Sequence, residues 1–144
     1  MIKDLHHTGF VVSDLGRAVE FYRDVIGLDE KSRYERTGRG IDRVVGYEGA
    51  HLQVALMGAG GVHSLELIQY LNPAPAERLT NERSVLGGTH LAFQVDDIDS
   101  IFQAAVDNGA TRLNRPTEVA YGRIACYMQD PDGNWIELLE IKGQ

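Results

Sequence analysis

Two histidines and two glutamates recur at matched places in this sequence, and such a set can hold a divalent cation. His7 opens the run His7-Thr-Gly-Phe-Val-Val-Ser-Asp-Leu15 and His90 opens His90-Leu-Ala-Phe-Gln-Val-Asp-Asp-Ile98, so the two align without a gap at an offset of 83 residues. Glu66 and Glu137 occupy the centres of Ser64-Leu-Glu-Leu-Ile68 and Trp135-Ile-Glu-Leu-Leu139. Imidazole and carboxylate together suit a first-row divalent ion and leave room for one or two waters or substrate oxygens. Such an ion polarises a carbonyl as a Lewis acid, and a carboxylate beside it can move a proton at the adjacent carbon. Glu66 and Glu137 are therefore candidate catalytic groups as well as candidate ligands. The plainer alternative keeps both as ligands and gives the proton to another residue, such as Glu48.

Taken singly, none of the four is persuasive. A lone histidine near a strand start is more often a satisfied polar side chain than a ligand, and a lone strand glutamate is more often part of a salt bridge. Their recurrence in both repeats changes the balance, because packing alone gives polar residues no reason to match. A carboxylate flanked by leucines is also poorly placed for solvent, and a buried carboxylate needs a partner or a metal. His6, His51, His63, Glu48 and Glu140 have no repeat partner of matching type and fall outside the set.

The elements that must position these groups follow from the same repeat. Along a strand His7, Gly9 and Val11 face one way, and His6, Thr8, Phe10 and Val12 the other. Leu15, Ala18, Val19, Tyr22, Val25 and Ile26 have helical spacing, opened by Ser13 or Asp14 and stopped by Gly27. Ile98, Ile101, Phe102, Ala105 and Val106 repeat that stripe between Asp96 or Asp97 and Gly109. Asp130-Pro-Asp-Gly133 is a turn signal feeding the last strand. Each half therefore reads βαβββ, giving an α+β fold of two pseudo-symmetric modules: module one over 1–71, an irregular linker over 72–88 with room for a helical turn around Ala76 to Asn81, and module two over 89–144. The His-to-Glu separation is 59 residues in the first half and 47 in the second, so the first half carries extra length in its middle strands. Paired about a pseudo-twofold axis, the modules would bring one His and one Glu from each half to a common site.

Bulk properties exclude other classes. At 144 residues with 43% apolar and 24% charged side chains, the chain has the size and composition of one globular domain. A net charge of −7 argues against a nucleic-acid surface. Arg33, Arg36, Arg39 and Arg43 crowd one Gly-rich stretch, which reads first as a solvated loop and second as a clamp for a substrate carboxylate or phosphate. Cys126 is the only cysteine, so no intrachain disulfide can form. No apolar run is long enough to span a bilayer and the N-terminus has no signal-peptide pattern, so a cytoplasmic protein without membrane partners is expected.

With His7 to Leu15, Phe21-Tyr-Arg-Asp-Val-Ile-Gly-Leu28 and Asp130-Pro-Asp-Gly-Asn-Trp-Ile-Glu-Leu138 in view, the sequence resembles the vicinal oxygen chelate superfamily over nearly its whole length. That superfamily includes glyoxalase I, methylmalonyl-CoA epimerase, extradiol dioxygenases, fosfomycin-inactivating transferases and bleomycin resistance proteins. The resemblance implies paired βαβββ modules forming an incomplete barrel around one divalent ion (Ni, Co, Zn, Mn or Fe), a small-molecule substrate and a homodimer. The glyoxalase I ligands match His7, Glu66, His90 and Glu137. Methylmalonyl-CoA epimerase commonly has Gln where this chain has Glu66, and dioxygenases and fosfomycin transferases use three protein ligands. An arginine that glyoxalase I directs at glutathione falls on Val11, while Arg123 matches another basic position only loosely. The implied activity is a metal-dependent lyase or isomerase acting by proton abstraction next to a carbonyl. The alternatives are a ring-cleaving dioxygenase and a non-catalytic drug-binding protein.

Overall fold

Short alternating apolar stretches, interrupted by two amphipathic helices, become two sheets of the same plan. The structure, a computed structural model, describes residues 1–143 and divides into two compact units, Met1–Glu77 and a second that begins at Arg78. The first unit runs β1 (His7–Val11), α1 (Leu15–Glu20), β2 (Asp29–Thr37), α2 (Arg39–Val45), β3 (His51–Gly58) and β4 (Ser64–Asn72). Its sheet has the order β1-β4-β3-β2, with β1 parallel to β4 and the remaining pairs antiparallel. The second unit runs β5 (Leu91–Gln94), α3 (Ile98–Asp107), β6 (Thr111–Arg112), β7 (Thr117–Ala120), β8 (Arg123–Gln129) and β9 (Trp135–Ile141). Here the order is β5-β9-β8-β6, β7 also pairs with β8, and β5 is parallel to β9. The fold class is thus α+β, with two sheets, and neither closes into a barrel.

The helices start where their caps dictate. Asp14 accepts a hydrogen bond from the Arg17 backbone N–H, and Asp97 accepts one from Ser100. Behind these caps Leu15, Ala18 and Val19, and in the second unit Ile98, Phe102 and Ala105, are buried. The first helix is not uniform through Ile26 as its spacing predicts. After Glu20 the chain widens into a π-helical turn over Phe21–Val25, which accompanies the burial of two adjacent aromatic rings, Phe21 and Tyr22, packed edge to face at 5.2 Å. Gly27 then takes a φ of +88°, a left-handed conformation that ends the helix and that a side chain would resist.

One face of each sheet carries a buried apolar row. In the first unit Phe10, Ala55, Met57, Leu65 and Leu67 are buried on the face that α1 covers through β3 and β4. His7 and Glu66 lie on the opposite face. In the second unit α3 packs on β9, and Cys126, Met128, Ile136 and Leu138 form the buried row. Burial pushes the Cys126 thiol up to about 11, so it stays protonated and unreactive at neutral pH. Asp130 anchors the turn before β9: its carboxylate accepts from the backbone N–H groups of Asp132 and Asn134, and its own carbonyl accepts from Gly133.

Two expectations are corrected. The Arg- and Gly-rich stretch is not a solvated loop, since Arg33 and Arg36 lie within β2 and Arg39 and Arg43 within α2. This inserted helix, which the second unit lacks, also accounts for the longer His-to-Glu separation in the first. The segment from Pro73 to His90 contains no helical turn around Ala76 to Asn81; its side chains reach the strands beside it instead, Asn81 accepting from the Gln129 side chain on β8 and Arg83 lying over the Trp135 ring on β9. No helix among the described residues is long and apolar enough to cross a membrane.

Candidate metal centre

In both units the histidine and glutamate meet through the same strand register. Glu66 on β4 stands opposite Gly9 on β1, and His7 lies two residues before Gly9 on the same face. Glu137 on β9 stands opposite Ala92 on β5, and His90 lies two residues before Ala92. The carboxylate therefore reaches diagonally to the imidazole across a parallel strand pair. A small residue sits directly opposite each glutamate, Gly in one unit and Ala in the other, and leaves that diagonal open. The resulting His7 Nε2 to Glu66 Oε1 distance is 3.7 Å, and His90 Nε2 to Glu137 Oε2 is 3.1 Å.

These pairs fit a divalent cation. An ion bonded to imidazole nitrogen and carboxylate oxygen at about 2.0–2.2 Å, with the bonds near a right angle, sets those two atoms about 3 Å apart. The 3.1 Å separation matches that span and the 3.7 Å one corresponds to a wider angle of about 120° between such bonds, and in both units the same nitrogen, Nε2, faces the carboxylate. The glutamates are largely shielded, with side chains 18% and 20% exposed, whereas the histidines, at 40% and 42%, face an accessible side. Among the described residues no group of three or more His, Cys, Asp or Glu side chains is gathered tightly enough to hold a metal. The structure thus brings together His7 with Glu66 and His90 with Glu137, each pair within its own unit.

Neighbouring groups that the repeat could not reveal orient these pairs. His6 Nδ1 lies 2.7 Å from His7 Nδ1, one ring donating to the other, which leaves His7 Nε2 for the carboxylate. Metal-binding histidines are commonly fixed through their second nitrogen in this way. Tyr34 on β2 donates from its hydroxyl to Glu66 Oε2 at 3.4 Å. In the second unit Tyr127 on β8, directly opposite Glu137, places its hydroxyl 3.1 Å from His90 Nε2, with the two rings edge to face at 4.8 Å. Desolvation by burial, and then the nearby Glu66 and Glu137 carboxylates, raise the two phenols above the usual tyrosine range, so both remain neutral donors. The position in β3 equivalent to Tyr127 is Leu56, so the tyrosines do not follow the repeat and only the register identifies them. His51 instead faces Glu35, and His63 bonds Thr8. Neither belongs to a pair of the repeated kind.

Comparison with known proteins shows the family and the fold. Residues 4–138 match the family model described as the Glyoxalase/Bleomycin resistance protein/Dioxygenase superfamily. The chain is 30% identical over 145 residues to a 2-epi-5-epi-valiolone epimerase of an Actinomyces species, covering 95% of this chain and 79% of that protein. It is 25% identical over 141 residues to a probable lactoylglutathione lyase of Synechocystis, covering 97% of each. A crystal structure of a glyoxalase family protein from Bacillus cereus superposes with a TM-score of 0.91 at 26% identity, over 99% of this chain and 97% of that one. A repeated His–Glu diagonal on two sheets of one plan, and a match that spans nearly the whole sequence, place this chain in the Glyoxalase/Bleomycin resistance protein/Dioxygenase superfamily.

Proposed function

We propose that this chain is a divalent-metal-dependent lyase or isomerase that moves a proton at the carbon next to a carbonyl, as glyoxalase I or an acyl-CoA epimerase does. The observation that carries this reading is the identical His–Glu diagonal in both units. His7, Glu66, His90 and Glu137 would hold one ion, of Ni, Co, Zn, Mn or Fe. The ion, when bound, supplies Lewis acidity toward the substrate's carbonyl oxygen. Glu66 and Glu137 are the groups that take the α-proton and return it, one carboxylate for each direction. Tyr34 keeps a hydrogen bond on the Glu66 oxygen that would receive the proton. Two glutamates rather than one favour isomerisation or epimerisation over ring cleavage, for which a carboxylate at position 66 has no use. The names of the epimerase and lyase relatives point the same way.

A homodimer accompanies this proposal, because β1 and β2 are the outermost strands of their sheet, and a second copy can extend a sheet at such an edge. Light scattering at micromolar concentration should give twice the mass of one chain; a monomer would refute the dimer alone. The reaction itself is checked by loading the protein with metal and offering α-ketoaldehyde hemithioacetals and short acyl-CoA esters in deuterated water. Net turnover, or incorporation of deuterium at the α-carbon, is the expected result. Stoichiometric oxygen uptake with cleavage of a catechol, and no action on the carbonyl compounds, would replace the isomerase reading with a dioxygenase.

A further inference from the structure

The four arginines between positions 33 and 43 are separated by the fold into different roles. Arg33 is held by both oxygens of Glu30, at 2.7 and 3.1 Å, on a face of β2 that also lines a concavity of about 250 Å³ with Leu15, Gly16 and Gln53. Arg39 and Arg43 belong to α2, none of whose residues is buried. Arg36 alone shares the sheet face of Glu66. It lies two residues beyond Tyr34, whose partners across the sheet are Val54 and then Ile68, the residue two beyond Glu66.

The Arg36 guanidinium carbon sits 4.0 Å above the centre of the Tyr34 ring, and the hydroxyl of that ring is bonded to Glu66. One guanidinium nitrogen donates to the Glu35 backbone carbonyl at 3.1 Å, and among the described residues no carboxylate lies within ion-pair distance of Arg36. A guanidinium carries five N–H donors in a planar fork that matches carboxylate and phosphate oxygens. Stacking on an aromatic face fixes the plane of that fork beforehand, so less freedom is lost when an anion binds. Tyr34 therefore links a pre-oriented, unneutralised cation to the candidate proton-transfer carboxylate.

We propose that Arg36, carried on Tyr34, binds an anionic group of the substrate, so that the substrate class is a carbonyl or hydroxyl compound bearing a remote carboxylate or phosphate. The inference rests on the reading that Glu66 belongs to the substrate site. It predicts that a ligand with one chelating end and one remote anion outcompetes the same ligand without the anion. Calorimetry on the zinc-loaded full chain would compare malate with lactate, and 3-phosphoglycerate with glycerate. The pair with the larger ratio distinguishes a carboxylate from a phosphate.

In at least one pair the anion-bearing ligand should bind about tenfold more tightly, the scale of one charge-assisted hydrogen bond. Arg36→Gln should abolish that preference and leave lactate and glycerate unchanged, while Arg36→Lys restores part of it. No preference in either pair, or an equal loss for lactate and malate in Arg36→Gln, would overturn the proposal. A second measurement does not depend on metal: the Arg36 Nε–H resonance of the metal-free chain followed during titration with inorganic phosphate. A saturable shift that Tyr34→Leu weakens supports the anion site even if all four chelating ligands fail to bind, an outcome that would count against the metal reading alone. An unmoved Arg36 resonance would overturn the anion site whatever the metal does.

Discussion

Replacing any one of His7, Glu66, His90 or Glu137 by alanine should weaken divalent-metal binding by about a hundredfold or more, while His51→Ala leaves it unchanged. On the proposed site, each ligand lost would remove one of four metal bonds and, for the glutamates, one of the two charges that would neutralise the ion. His51 faces Glu35 instead and has no place in the set. His6→Ala should fall between these extremes, with a loss of about tenfold, because its Nδ1 fixes the His7 ring without binding the ion. Metal retained after dialysis against a calibrated chelator gives the ranking directly. Near-equal metal in all six variants would remove the basis for assigning the site.

Leu67→Ala should cost about 3–5 kcal/mol of stability, among the largest effects expected of a single substitution here. Leu67 is fully buried at the centre of β4, with Phe10 opposite it on β1 and Ala55 opposite it on β3. No other side chain can fill the space, since neighbouring Leu65 and Met57 are already buried and the backbone on both sides is fixed by hydrogen bonds. Its neighbours in sequence, Glu66 and Ile68, point to the other face, so loosening this row also loosens the carboxylate. Chemical denaturation of the variant should give a lower midpoint with an unchanged slope. Val44→Ala, at an exposed position on α2, should change stability by less than about 0.5 kcal/mol. Similar midpoints for the two variants would mean that the β4 row is not the core of the first unit.

The repeat made the four principal residues and both helix caps legible before any coordinates. Identical polar residues at matched places in both halves are improbable without a shared purpose, and of the two cap candidates before each helix, Ser13 or Asp14 and Asp96 or Asp97, the second is the one that caps. What the repeat could not convey lies outside its symmetry. Tyr34 and Tyr127 reach their partners from non-equivalent strands, so no alignment of one half on the other finds them. His6 has no counterpart in the second half, where the residue before His90 is Thr89, yet it bonds the ring of His7. The stretch around Arg39 looked like a loop because its glycines outweigh its short apolar stripe. Gly38 and Gly46 prove to be the residues flanking a seven-residue helix, with Gly46 in the left-handed conformation at its C-terminal cap. The π-helical turn at Phe21 was also hidden, since its apolar spacing differs from that of an ordinary helix by a single residue.

The central claim is that two imidazoles and two carboxylates bind one divalent ion. X-ray absorption of the zinc-loaded full chain tests it most directly, because outer-shell scattering counts imidazole ligands. The account predicts one zinc per chain, a first shell of nitrogen and oxygen at about 2.0–2.2 Å, and the outer-shell signature of two imidazoles, reduced to one in His7→Ala and in His90→Ala. A shell without imidazole scattering, or one that neither substitution alters, would contradict it.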